Sequence, residues 1–519
     1  MGKTIECHFW DPALDLESKL DFTYEDIGNN IELKKPVFTV DALNKIIDNL
    51  KKSREEYLLK IDIPTVLNVI EKVTDMWMDP DYKGRIIARE VLPTVTGFSL
   101  QMIESWGFDH FMSILRKDNL PLFGKLKPEE YKEFSELGDG LVKAYGEVNI
   151  SHSNFDPSVI GHICAGNILG IAAFEMILDK LIDAATWIKV PSEEPVFGAL
   201  YAKSIEEVDP KLAYSIAILP FEGGNNEVKE VLFSRSDIVR ATGGEQARIS
   251  LTELANKHDI PIAGHWHKFS FITLARDYLD EERASQIAEL VSLDVTAWDQ
   301  QGCFSPQEIF VELGGEIDPL KFAELLADEM ETTSIALPKG VNSGKMQVLD
   351  GYHQYLKKEM MGDPVKIFPS ATHQWLVIYD GTTENIEPSP LFRVIRVKPI
   401  EDIMHIPKLV KPIGSFLQTV GVAIPNNRLL SFADAIGEVG ATNIRAISSM
   451  TLQKPWEPWD GRFPLHELFE LDNIRWVSIS TKDIDKEITK ALEQKRSIVN
   501  QQIPIDNISP DDASSRKLT

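Results

Sequence analysis

A cysteine set in a turn between a helix and an apolar strand is where this sequence first offers chemistry. In Trp298-Asp299-Gln300-Gln301-Gly302-Cys303-Phe304-Ser305-Pro306-Gln307-Glu308-Ile309-Phe310-Val311-Glu312 the thiol follows a glycine and precedes a proline. The spacing of Ala284, Ile287, Leu290, Val291 and Val295 predicts a helix from Asp280 to about Gln300, Pro306 stops regular helix, and a strand is expected over Ile309 to Leu313. Gly302 lets backbone approach closely, and N–H groups left unpaired in such a turn can point at an oxyanion. Cys303 can therefore act as a nucleophile. The competing reading is a thiol packed as a small hydrophobe, which composition alone favours.

Four other stretches could complete a site. His162-Ile163-Cys164-Ala165-Gly166-Asn167 ends a strand and precedes a helix, so the Asn167 amide could donate to an oxyanion or simply cap the helix, while His162 reads as a core histidine. Trp187-Ile188-Lys189-Val190-Pro191-Ser192-Glu193 puts an ammonium and a hydroxyl at a strand end where a nucleotide ribose could lie. Ala241-Thr242-Gly243-Gly244-Glu245 places a glycine pair between strand and helix start, where N–H groups can meet a pyrophosphate. Gly264-His265-Trp266-His267-Lys268 offers two imidazoles without a third ligand, which suits proton transfer or substrate contact better than metal binding, and no metal is expected. No G-x-S-x-G, G-x-x-x-x-G-K-[ST] or H-E-x-x-H motif competes.

The elements that must carry these groups can be read from apolar patterning. Residues 1 to about 35 show no sustained period and read as an arm, followed by helices from Val40 to Leu50 and Pro64 to Met78 and a helix-rich stretch to Phe123. From Val159 short apolar runs alternate with helices as far as Ala263, the pattern of a parallel sheet covered on both faces. A second set begins at Phe269 and includes strands around 375–379, 392–397, 419–424 and 442–447. The expectation is α/β: an N-terminal arm and helical section over 1–150, a Rossmann-like dinucleotide domain over 151–264, a catalytic α/β domain over 265–480, and a C-terminal helix with a disordered tail over 481–519.

Charge and cysteine usage narrow the class. Acidic residues number 80 against 54 basic, a net charge of -26, with no basic run to neutralise phosphates, so nucleic acid is not an expected partner. Three widely spaced cysteines suit a reducing compartment rather than a disulfide framework, and no apolar run approaches membrane-spanning length. A cytoplasmic protein is expected.

In this order the stretches resemble the aldehyde dehydrogenase superfamily. The run Cys303-Phe304-Ser305-Pro306-Gln307-Glu308-Ile309-Phe310-Val311-Glu312 is similar to its nucleophile segment, Asn167 falls where its oxyanion-holding Asn should, Lys189 matches its ribose-gripping lysine, and Thr242-Gly243-Gly244 resembles its pyrophosphate turn. Two departures narrow the likeness. The Glu that activates water in hydrolytic members has no carboxylate counterpart in Ile262 to Lys268, and Ser192 stands where an acidic ribose ligand is expected. Losing that carboxylate removes a repulsion against a 2′-phosphate, which admits NADPH, while Glu193 next door keeps NADH open. With Gly414-Ser415-Phe416-Leu417-Gln418-Thr419-Val420-Gly421 and Trp459-Asp460-Gly461, the chain resembles the acyl-CoA reductase family typified by the fatty acid reductase of bacterial luminescence, from roughly residue 40 to 480. That resemblance implies NADPH-dependent reduction of a fatty acyl-CoA or acyl-protein thioester to an aldehyde through a Cys303 acyl-enzyme. It also implies a homo-oligomer with an acyl-protein synthetase or acyl-transferase partner. The alternatives are an aldehyde-oxidising NAD(P)-dependent dehydrogenase of the same fold and a non-catalytic cofactor-binding subunit.

Overall fold

A computed structural model describes residues 2–119, 132–145, 156–340, 344–382, 385–454, 456–465, 467 and 474–500. The tail expected from residue 503 lies outside them. The first finding is a correction. Residues 1–35 are no arm but a small sheet of β1 (Lys3–Glu6), β2 (Asp21–Asp26) and β3 (Ile31–Val37), with β1 parallel and β2 antiparallel to the central β3. Its inner face is only a few side chains deep, including Ile5, Ile31 and Leu33, while ion pairs such as Lys35 to Glu25 at 2.6 Å hold the outer face. So little apolar alternation leaves no period to detect.

The helices that follow form for local reasons. Thr39 caps Val40–Glu56 by accepting from the Ala42 N–H at 3.2 Å, and Leu43, Ile46, Ile47 and Leu50 line its buried stripe. Asp62 caps Ile63–Met78 in the same manner, and that helix sends Trp77 against Phe197 at 4.9 Å between ring centroids. After Lys83–Thr96, which ends on Gly97 at φ 74, the backbone widens into a π-helical stretch, Ile103–Phe111. Gly107 lies there under Leu169, where an added Cβ would come within 2.6 Å of a leucine methyl.

Short β4 (Ser135–Leu137) and β5 (Gly140–Tyr145) come next, then the five strands expected for a dinucleotide domain: β6 (Val159–Ile163), β7 (Ala185–Lys189), β8 (Ile216–Leu219), β9 (Ile238–Thr242) and β10 (Ile262–His265). They form a parallel sheet in the order β10-β9-β6-β7-β8, so the chain reverses direction across the sheet between β6 and β9. Such a switch point opens a crevice at the carboxyl ends of the strands.

The second sheet has ten strands. β11 (Phe269–Leu274), β12 (Pro306–Glu312), β14 (Leu376–Asp380), β15 (Val394–Ile400), β16 (Leu417–Ala423), β17 (Asn443–Ala446) and β18 (Arg475–Ile479) are parallel, with β13 (Val365–Pro369) antiparallel at one edge. At the other edge β5 joins β18 antiparallel and β4 joins β5, so residues 135–145 lie in the sheet of the C-terminal half. The two sheets come together at strand ends: Asn167 after β6 bonds Gln301 before β12, and Thr242 and His265 at the ends of β9 and β10 line one cavity with Gln418 and Thr419 at the start of β16. No described helix is long and apolar enough to cross a membrane.

Candidate active site

The helix before the cysteine ends earlier than its apolar spacing implies. It spans Arg283–Thr296, and Trp298, Asp299 and Gln300 then adopt left-handed backbone at φ 53, 50 and 63. Non-glycine residues in that region cost on the order of 1–3 kcal/mol each. Long-range contacts hold them: Arg393 Nε donates to Asp299 at 2.8 Å, and Gln300 exchanges hydrogen bonds with Val394, accepting from its N–H at 2.9 Å and donating to its carbonyl at 3.1 Å. Leu391, Phe392 and Arg393 on the facing segment are left-handed too, at φ 64, 55 and 65. The turn delivers Cys303, half-buried, to the amino end of β12.

Polar groups from the starts of two other strands meet that cysteine. Ser270 at the start of β11 donates to the Cys303 carbonyl at 2.8 Å, and Gln418 at the start of β16 donates from Nε2 to Cys303 Sγ at 3.4 Å. The same Gln418 nitrogen donates to Asp460 Oδ1, and the other Asp460 oxygen binds His265 Nδ1 at 2.8 Å. His265 Nε2 meets Glu467 at 2.9 Å, and Glu467 pairs with the buried Arg240. Burial pushes the Cys303 thiol up to about 11, the Asp460 charge adds to that, and the Gln418 hydrogen bond and Lys268 charge pull the other way. Burial also drives His265 down, but the Glu467 charge and the bonds to both carboxylates overcome it and raise the imidazole to about 8. His267 is exposed. His162 is a core histidine, 2.7 Å from Asp179 and 3.3 Å from Glu175.

Asn167 sits in the loop after β6 and donates from Nδ2 to the Gln301 carbonyl at 2.9 Å, which places it against the nucleophile turn. Its Oδ1 is buried without a partner. A cavity of about 650 Å³ opens on this side at the switch point, lined by Gly166, Asn167, Lys189, Thr242, Gly243 and Gln301 among others. Burial lowers the Lys189 pKa, partly offset by Glu193. A Cβ on Gly166 would press within 3.0 Å of Glu193 and 3.1 Å of Pro191, so a larger residue would crowd this wall.

The glycine pair needs correcting. Gly243 N–H donates to the His265 carbonyl at 3.1 Å, so it pairs β9 with β10 and is not free for a phosphate. Gly244 is extended and begins the helix Glu245–His258 without a side-chain cap, which leaves the first N–H groups of that helix for an anion. Neither Gly244 nor Ser192 is on the wall of the large cavity. Ser192 is exposed and lines an adjoining one of about 260 Å³ with Lys35, Glu222 and Asn225. Lys189, Gly166 and the first turns of the helix Glu245–His258 border the larger cavity, a combination that fits a dinucleotide.

On the opposite side of Cys303 a narrower cavity of about 100 Å³ runs between Trp106, Phe111, Ile168, Leu169, Trp298, Phe304 and Trp459, with Gln418, Asp460 and His265 at its cysteine end. Thr242 lines both cavities. Sequence reasoning missed this wall and gave Gln418 and Asp460 no role, although both fell within stretches carrying the family likeness. The only local signal was the composition of Trp106 to Phe111, an aromatic-rich stretch without a charge stripe.

Comparison with known proteins gives the family and the fold. The profile of the acyl-CoA reductase (LuxC) family matches residues 58–471. The long-chain acyl-protein thioester reductase 2 of Photobacterium leiognathi is 23% identical over 487 residues, covering 91% of this chain and 94% of that one. Among solved structures, aldehyde dehydrogenase 21 from Physcomitrella patens superposes with TM-score 0.64 at 12% identity, over 92% of this chain and 98% of that one. The NADP-dependent glyceraldehyde-3-phosphate dehydrogenase from Bacillus halodurans, complexed with NADP, gives 0.61 at 12%, over 88% and 96%. The fold is that of the aldehyde dehydrogenases, and the chain belongs to the acyl-CoA reductase (LuxC) family.

Proposed function

We propose that the protein reduces a long-chain fatty acyl thioester, carried on coenzyme A or on a protein, to the fatty aldehyde through an acyl group held on Cys303. The observation that carries this reading is the position of Cys303: it lines an apolar cavity, and Gln301, two residues earlier in the same turn, lines the larger cavity at the switch point. The name of the Photobacterium relative, a long-chain acyl-protein thioester reductase, supports the substrate class.

In the first half-reaction Cys303 Sγ attacks the thioester carbonyl carbon, and a new C–S bond forms as the carbonyl electron pair moves to oxygen. Asn167 Nδ2 has a second hydrogen beyond the one given to Gln301, and with the Cys303 N–H it holds that oxyanion. The carbonyl re-forms, the donor's C–S bond breaks, and the departing thiolate takes the proton that Cys303 gave up. A reduced nicotinamide dinucleotide, when bound, supplies the hydride that reduces the acyl group. Collapse of the resulting thiohemiacetal returns the electron pair to Cys303 Sγ and frees the aldehyde. The stretch Ile262 to Lys268 lacks the carboxylate that the resemblance would place there to activate water, and its His265 is bonded through both ring nitrogens to Asp460 and Glu467, leaving it no lone pair to act as that base.

Lys189 and the start of the helix Glu245–His258 would hold the dinucleotide, and Ser192 in place of a carboxylate favours NADPH while admitting NADH. The NADP-bound neighbour supports this choice. A homo-oligomer in the cytoplasm, served by an acyl-protein synthetase or acyl-transferase, completes the reading. The test is NADPH consumption over a series of acyl-CoA lengths with the aldehyde trapped. Activity confined to oxidising aldehydes with NAD would overturn it.

A further inference from the structure

The sulfur of Cys303 is met by a donor whose orientation is itself controlled. A primary amide can present either nitrogen or oxygen to a neighbour, and only the nitrogen favours a thiolate. Gln418 Nε2 has two hydrogens: one goes to Cys303 Sγ at 3.4 Å and the other to Asp460 Oδ1. An ionised carboxylate accepts only, so Asp460 rejects the flipped amide. Asp460 is in turn fixed through its second oxygen by His265 Nδ1 at 2.8 Å. For His265 to donate from both ring nitrogens, to Asp460 and to Glu467 at 2.9 Å, it must be an imidazolium. Glu467 is anchored by Arg240 and by Arg462 at 3.3 Å, and Arg240 by Glu175 at 2.5 Å, inside the dinucleotide domain. The turn bearing Asp460 is tied to β10 by Arg462, which donates to the Gly264 carbonyl at 2.7 Å, and Trp459 stacks on Phe174 at 4.2 Å.

We infer that Gln418 is a catalytic residue that holds the Cys303 thiolate through its side-chain N–H, and that Asp460 and His265 are positioning residues that lock this amide in its donating orientation. The inference rests on the reading of Cys303 as nucleophile. It has an unusual consequence, because the lock is made of a group that opposes the task. The Asp460 charge by itself disfavours a nearby thiolate, with Lys268 as the opposing charge on the same sulfur. Asp460 therefore acts on Cys303 with two signs, directly against the thiolate and through Gln418 for it.

A double-mutant cycle separates the two. Iodoacetamide alkylation of Cys303 is followed against pH on the full-length protein by the mass of the labelled peptide; Cys7 and Cys164 are buried and serve as internal controls. In Gln418→Met, which keeps the side chain's bulk but has no donor, the alkylation rate at pH 7 is expected to fall about tenfold as the apparent thiol pKa rises, with kcat falling and KM for the acyl donor little changed. Asp460→Asn is expected to slow alkylation in the wild-type background and to speed it in the Gln418→Met background, where only the charge effect remains. Faster alkylation of Asp460→Asn in both backgrounds, or no change in Gln418→Met, overturns the inference. The readout needs no turnover, so it fails separately from the acyl-enzyme reading, which Cys303→Ala tests.

Discussion

The two cavities that flank the nucleophile turn are built on different plans. The one at the switch point is about 650 Å³, wide enough for a ligand without rearrangement, and its walls mix polar groups such as Asn167, Lys189 and Glu193 with apolar ones such as Phe98, Phe221 and Leu251. The one lined by Trp106, Phe111, Leu169 and Trp459 is about 100 Å³, well below the roughly 300 Å³ of an ordinary ligand pocket. A crevice at strand ends is held open by the sheet itself, whereas a cavity walled mainly by apolar side-chain surface closes when nothing lies between its walls. On the proposed function the larger cavity would receive the dinucleotide preformed, while the smaller one would open for an acyl chain by rotation of Trp106 and Phe111 on the π-helical stretch.

Substitutions at the boundary test that contrast most severely. Cys303→Ala should abolish both transfer of radioactive acyl groups to the protein and aldehyde formation; turnover by the purified variant would remove the sulfur from the division between the cavities. Asn167 lines the larger cavity yet bonds the nucleophile turn, and Asn167→Ala should lower the rate on the order of 10²-fold with folding retained. An unchanged rate would assign Asn167 to the dinucleotide side alone. Ser192→Glu changes only the rim, and should move the NADPH to NADH preference about tenfold toward NADH by placing a carboxylate against a 2′-phosphate. Equal kcat/KM ratios before and after would show that the extra phosphate lies elsewhere.

The smallest effect concerns the wall between the cavities. His265 is raised from 6.5 to about 8, so its stabilising contribution, about 2 kcal/mol, is whole below pH 6.5 and is lost as pH rises through 8. Glu467 is lowered to about 2, because the Arg240 and His265 charges outweigh its burial. Its contribution is present above the ordinary carboxylate range and is lost as pH falls toward 2. The melting temperature should therefore fall between pH 7 and 9 in the native protein and fall less in His265→Gln. Parallel curves would show that the imidazole is not charged in the folded state.

What could be read in advance follows from distance along the chain. The alternation from Val159 to Ala263 announced the five-stranded parallel sheet, because strand and helix periods are local, while the meeting of Asn167 with the cysteine turn could be expected only through family likeness. Strands β5 and β18 were not, since their pairing joins residues such as Tyr145 and Arg475, and each run is too short to show a period. Gln418 is 115 positions from Cys303 and His265 is 195 from Asp460, so no motif spacing links them. The helix expected through Gln300 shows the opposite failure: the local signal is real, but contacts with Arg393 and Val394 override it.

That override has a mechanical consequence. Residues 298 to 300 are clasped in a shape their own sequence would abandon, and the clasp is a second left-handed triplet some ninety positions away. If the Asp299 to Arg393 grip opened, the preceding helix could wind onward and carry the thiol out of register with both cavities while the sheets stayed intact. Heat should therefore silence the protein before it melts, with activity fading at temperatures where bulk helix and strand signals are still flat.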